Sequence, residues 1–332
     1  MIDLLKQTSQ AREPVVLPRT AWAVDGQSGR LREGGNALRF SSSIRLFQVA
    51  VHVAAICVAC LWVEVVAEAN EAVNGRRVRV AALSFRPAKL QLNQNAERLE
   101  SLFRRAAAGG AELAVGPEGA LDGCPMNEIV AGEIEPDRLA EVAVAIDSPM
   151  IQRFQDLARQ LGMCLAFGFA ERVGAEIYNC TVFIDHQGQI CGKYHKMQFA
   201  EGYDESWWFN RLGARSRAFD TPLGRCGVLI CNDRWNPQLA RIPALDGAQF
   251  LIIPSFGSTS MRQDEAVLAR GKETGLPVVE ANVGVTMIVD TGEIVALDRK
   301  TEGLVFADIQ IPERRAADAA ALAACWEFGQ DV

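Results

Sequence analysis

Three residues of the 332-residue chain bring together a carboxylate, an ammonium and a thiol: Glu118, Lys196 and Cys231. Glu118 follows the apolar segment ELAVGPEG (112–119), Lys196 closes ICGKYHK (190–196), and Cys231 lies in GRCGVLICND (224–233). Together they suit acyl transfer. The thiol is the nucleophile, the carboxylate takes its proton, and the ammonium stabilises the developing oxyanion. A cysteine at the end of an apolar strand is more often a core residue than a nucleophile. Cys231 departs from that pattern because Asn232, Asp233 and Arg234 follow it where a core strand would continue apolar. Cys164, Cys180, Cys191 and Cys226 sit inside apolar segments and read as core, and Cys124 reads as a packing residue close in sequence to Glu118. His195 adjoins Lys196, but side chains alternate along a strand, so it is expected on the opposite face with a structural role.

Such groups are effective only on a rigid frame, and strand ends in open α/β sheets supply one. VRVAALSF (78–85) has the character of a strand, and 91–110 that of an amphipathic helix with Leu99, Leu102, Phe103 and Ala106 on one face. Ser148-Pro149 opens a second helix that Gly162 closes. Strands are expected at 163–170, 177–185, 190–196, 225–233, 249–255, 277–282, 286–290, 292–297 and about 303–309, with helices near 237–245 and 260–273. Strands alternating with helices, then hairpins, indicate a layered α/β domain.

Composition narrows the remaining choices. Lys and Arg number 34 against 41 Asp and Glu, a net charge of −7, which lacks the basic footprint of a nucleic-acid binder. Nine Cys and three His occur without zinc-ribbon or haem-attachment spacing, so neither a metal nor a cofactor is expected. Residues 1–77 read as an N-terminal extension, 78–312 as the working domain and 313–332 as a tail. Within the extension an uncharged run, Leu46–Val63, follows Arg45 and precedes Ala67-Glu68-Ala69, the outline of a secretory signal or anchor. Gln48 and His52 inside the run, and the residues before it, argue for a segment outside the working protein. Both readings stand, and with them a cytoplasmic location beside an exported or membrane-anchored one.

The motifs resemble those of the nitrilase, or carbon–nitrogen hydrolase, superfamily. PEGALDGCP (117–125), YHK (194–196), LICNDRWNP (229–237) and DESWWFNRLG (204–213) match its ordered signatures between about Val78 and Pro312. The resemblance implies a four-layer α-β-β-α sandwich, dimerisation through helices, and hydrolysis of a linear amide or N-carbamoyl compound through a thioester. It makes Cys231 the nucleophile, Glu118 the general base, Lys196 the oxyanion stabiliser and Glu205 the second glutamate. Asn232, Arg234, Trp208 and Ser255 become substrate contacts. Asn-Asp-Arg after the nucleophile is similar to the N-carbamoyl-D-amino-acid amidohydrolase branch, where the arginine meets a carboxylate, a task suited to a planar guanidinium. Trp235 stands where that branch has a second Arg, and Tyr203 near its His, so an ion pair of Arg234 with Asp233 or a nearby acid is an equal alternative. A nitrilase, an N-acyltransferase and a non-catalytic domain of the same fold are the rival functions.

Overall fold

The computed structural model describes residues 75–200 and 209–327. The Leu46–Val63 run, Glu205 and Trp208 lie outside the described residues. No helix among the described residues is long and apolar enough to cross a membrane.

The strands are β1 (Arg76–Ser84), β2 (Leu113–Val115), β3 (Cys164–Val173), β4 (Glu176–Ile184), β5 (Ile190–His195), β6 (Phe219–Thr221), β7 (Gly224–Val228), β8 (Phe250–Ser255), β9 (Val278–Asn282), β10 (Val285–Asp290), β11 (Glu293–Asp298) and β12 (Gly303–Ile311). They form two six-stranded sheets, ordered β12-β1-β2-β3-β4-β5 and β11-β10-β9-β8-β7-β6. Each sheet has a parallel centre, β1-β2-β3 in the first and β7-β8-β9 in the second, flanked by antiparallel strands. The parallel centres are covered on both faces, as such sheets must be.

Alternation along the strands assigns the faces. Val78, Val80 and Ala82 of β1 join Phe250 and Ile252 of β8 in the core between the sheets. Ala81 and Leu83 turn outward to the helices α1 (Leu92–Ala108) and α4 (Pro149–Leu161), meeting Leu99, Phe103 and Phe154. Leu251 and Ile253 turn the other way, toward α5 (Pro237–Leu245) and α6 (Met261–Thr274). The layers are therefore α-β-β-α, the architecture the resemblance implies. Helix α4 begins as its sequence requires: Ser148 accepts a hydrogen bond from the Ile151 amide, Pro149 takes the first turn, and Gly162 closes it at φ 61°.

Some elements were not expected. Two short helices, α2 (Met126–Val130) and α3 (Pro136–Val142), pack with Ala170, Ile177 and Phe209 in a satellite cluster. The Ala-rich tail after Pro312, which the sequence leaves open between a helix and an arm, holds a last helix, α7 (Ala319–Glu327), which rests on α5 with Leu322 buried and the Asp318 amide donating to the Leu245 carbonyl. The segment 225–233 was expected to be strand throughout. Instead β7 stops at Val228, and a 3-10 turn occupies Cys231–Trp235. The burial of Leu229 and Ile230 explains why apolar pattern alone carries the strand too far.

Candidate active site

The interruption after β7 places Cys231 in the left-handed region, at φ 48°. A non-glycine residue there costs on the order of 1–3 kcal/mol and persists only where its surroundings hold it. Asp233 does much of the holding. Its carboxylate accepts from the Ile230 amide at 2.9 Å, the Tyr194 hydroxyl at 2.9 Å, and the Met197 and Gln198 amides at 3.3 and 2.8 Å. One buried carboxylate thus ties the turn of the second sheet to the segment leaving β5 of the first. Burial pushes the Asp233 carboxyl up to about 6, against the pull of the Ile230 amide and Lys196. The Asn232 side chain adds a second tie, donating to the Phe199 carbonyl at 2.8 Å.

Glu118 follows β2 and is 1% exposed. Its Oε1 accepts from Lys196 Nζ at 2.7 Å and from Asn179 Nδ2 at 2.7 Å, and its Oε2 accepts from the Phe256 amide at 2.9 Å. The Phe256 carbonyl in turn accepts from Cys231 Sγ at 3.8 Å. One peptide residue at the end of β8 therefore contacts both the carboxylate and the thiol. Burial alone would depress the Lys196 ammonium, but Glu118 and Cys231 outweigh it and hold the lysine above its ordinary range. Burial and then the Glu118 charge raise the Cys231 thiol, while Arg234 and Lys196 oppose them. The fold has gathered three groups distant in sequence into one electrostatically linked cluster.

Close backbone approach makes room for it. A Cβ on Gly168 of β3 would lie 2.6 Å from Glu118 Cα and 2.7 Å from the Gly119 amide nitrogen. Gly168→Ala is therefore expected to cost about 1–3 kcal/mol of stability and, on the resemblance's assignment of Glu118 as the base, to lower kcat by displacing it. Denaturant titration alongside steady-state kinetics checks both parts.

The other sequence candidates have these places. Arg234 is buried, with Nη1 donating to Glu280 Oε1 at 2.8 Å and to Ser255 Oγ at 2.7 Å. Of the two roles open for Arg234, the ion pair forms, and its partner is Glu280 while Asp233 serves Tyr194 and the main chain. Ser255 Oγ also donates to Glu280 at 3.2 Å. Cys124 is half-buried in a left-handed turn at φ 50°, and burial pushes its thiol well up. His195 faces away from Lys196, stacked on Tyr178 with ring centroids 4.2 Å apart.

Glu171, Cys180 and His195 bring one ligand atom each within 4.8 Å of one another, on the helix-facing side of the first sheet. Lys193 and His195 occupy the two Glu171 oxygens, so the group reads as an ion-paired cluster.

Two participants escaped sequence reading. Asn179 and Glu280 are polar residues within the buried strands β4 and β9, and that misplacement in an apolar run was the available signal.

A profile described as Carbon-nitrogen hydrolase matches residues 79–319, well over half of the chain. The citrullinase of Francisella tularensis subsp. tularensis is 33% identical over 182 residues, covering 54% of this chain and 60% of that protein. The N-carbamoylputrescine amidase of Oryza sativa subsp. japonica is 31% identical over 188 residues, 54% of this chain and 59% of its own length. The chain thus spans about six-tenths of the length of these curated relatives. An N-carbamoylputrescine amidase of Arabidopsis thaliana is 27% identical over 273 residues, 71% of this chain and 87% of that one. Among solved structures, an amidase from Nesterenkonia sp. superposes with a TM-score of 0.61 at 20% identity, covering 76% of this chain and 97% of that chain, a likeness of fold. With a profile match running from β1 to the start of α7 over paired six-stranded sheets, the chain belongs to the carbon–nitrogen hydrolase family.

Proposed function

We propose that the protein hydrolyses a non-peptide C–N bond of a small linear amide or N-carbamoyl compound, with Cys231, Glu118 and Lys196 as its catalytic residues. The observation that carries this reading is the Phe256 peptide, whose N–H is bound to Glu118 and whose carbonyl meets Cys231 Sγ. Base and nucleophile share one rigid bracket.

The Cys231 thiol gives its proton to Glu118, and the thiolate attacks the carbonyl or carbamoyl carbon. Lys196 Nζ and the Asn232 main-chain N–H meet the oxyanion, each such donor being worth about 2.7–4 kcal/mol of barrier. The C–N bond breaks as Glu118 returns the proton to the departing amine or ammonia, leaving the acyl group on sulfur. Glu118 then takes a proton from water, whose oxygen attacks the thioester carbon; the C–S bond breaks and Glu118 passes that proton to the departing sulfur, restoring thiol and carboxylate. Proton transfer by a placed carboxylate contributes on the order of 10²–10⁴-fold. Water supplies the second nucleophile and its protons, and the chain's own groups relay the rest. The resemblance gives Glu205 the role of the second glutamate.

The relatives' names favour the carbamoyl class within this reading. Mass spectrometry of the full chain incubated with simple amides, a nitrile, citrulline and N-carbamoylputrescine tests it. We expect turnover of a carbamoyl or amide compound, with an acyl or carbamoyl mass increment on the Cys231 peptide. Turnover of the nitrile alone, or an adduct only on another cysteine, would replace this reading.

A further inference from the structure

Behind Cys231, between the second sheet and α6, lies a buried polar assembly that the reaction above leaves unused. Arg234 is 1% exposed and Glu280 is 0% exposed. Glu280 Oε1 accepts from Arg234 and Ser255, and its Oε2 accepts from Gln263 Nε2 of α6 at 2.7 Å. Arg270, also of α6, donates to the Arg234 carbonyl at 2.6 Å. The second terminal nitrogen of Arg234 approaches Cys231 Sγ at 3.9 Å.

A buried ion pair is a weak device for stability, because desolvating both charges offsets most of their attraction. Apolar side chains of similar volume would fill this layer as well. What they would not supply is a fixed cation against the sulfur. Resting on the reading of Cys231 as nucleophile, we infer that Arg234, anchored by Glu280, is a positioning residue that holds the Cys231 thiolate. The need arises in the first step. Once the thiol proton has passed to Glu118, that carboxyl is neutral, and the new negative charge on sulfur is met by Arg234 and Lys196. Lys196 must also serve the oxyanion, whereas Arg234 is committed to Glu280 and Ser255.

Among the described residues the charged groups acting on Sγ are Glu118, Arg234 and Lys196. Those acting on Glu280 are Arg234 and Asp264, and Asp264 is itself paired with Arg299. Burial pushes the Glu280 carboxyl up to about 7 in spite of Arg234.

The test follows iodoacetamide alkylation of the Cys231 peptide by mass spectrometry across about pH 6–10, where thiolate fraction sets the rate. Two variants of the full chain are compared with the parent. Glu280→Gln leaves Arg234 without its counter-charge, and the Cys231 titration is expected to move to lower pH. Arg234→Met combined with Glu280→Leu removes both partners, so no orphaned charge threatens folding, and the titration is expected to rise. An opposite charge in contact moves a titration by about 1–3 units, which sets the size of the rise. A merely structural pair would leave the profile in place. Profiles superimposable on the parent's in both folded variants would overturn the inference. Retained turnover in Cys231→Ala would instead remove the nucleophile reading, an outcome the alkylation profile does not share.

Discussion

Cys231→Ala is expected to lower kcat by on the order of 10⁴–10⁶-fold, the scale seen when a covalent nucleophile is removed. The loss is confined to chemistry. The thiol is small, its one main-chain contact is a weak 3.8 Å approach to the Phe256 carbonyl, and the turn is held by Asp233 rather than by sulfur. Stability should stay within about 1 kcal/mol of the parent, the ordinary range for a mild substitution. Denaturant unfolding, circular dichroism and product release measured on one preparation separate the two effects. Activity near the parent's, in a folded variant, would end the thioester mechanism.

Glu118→Gln is expected to be the next most damaging change, for two separable reasons. Removing the base should lower kcat by on the order of 10²–10⁴-fold. The carboxamide also fits its surroundings badly, because Lys196 and Asn179 donate to one oxygen and the Phe256 amide to the other. Either orientation sets an NH₂ against a donor. A mispaired buried group of this kind costs about 1–3 kcal/mol. Formation and hydrolysis of the acyl-enzyme should slow together, since in the proposed mechanism the same carboxylate serves both steps. Single-turnover kinetics resolve them, and an unchanged deacylation rate would assign the second step to another base.

The order of elements was legible because continuous apolar runs of strand length are set off by turn and cap residues. Strands such as β1 and β8 carry apolar residues on both faces, and the caps of α4 sit where Ser148, Pro149 and Gly162 place them. Sequence carried β7 too far because apolarity continues through Leu229 and Ile230, whereas the backbone reverses at Cys231 under the grip of Asp233. That grip is a long-range property. Tyr194 and Asp233 are 39 positions apart, and Asn179 and Glu118 are 61 apart. Residue type announced the carboxylate, ammonium and thiol, while their partners depend on which strands the sheets bring opposite one another. Arg234 illustrates the limit. A guanidinium after the nucleophile suits a substrate carboxylate or an internal acid equally well on paper, and only the placement of Glu280 beneath α6 selects the latter.

Glu118, Asn179 and Lys196 belong to one sheet and its loops, whereas Cys231 and Phe256 belong to the other. The proposed reaction centre is accordingly a seam, assembled only when the two slabs dock. A chain whose slabs have parted keeps the carboxylate, the ammonium and the thiol but loses the Phe256 bracket that joins Glu118 to Cys231. Any chemistry that needs all three groups together must therefore wait until the last layer has closed.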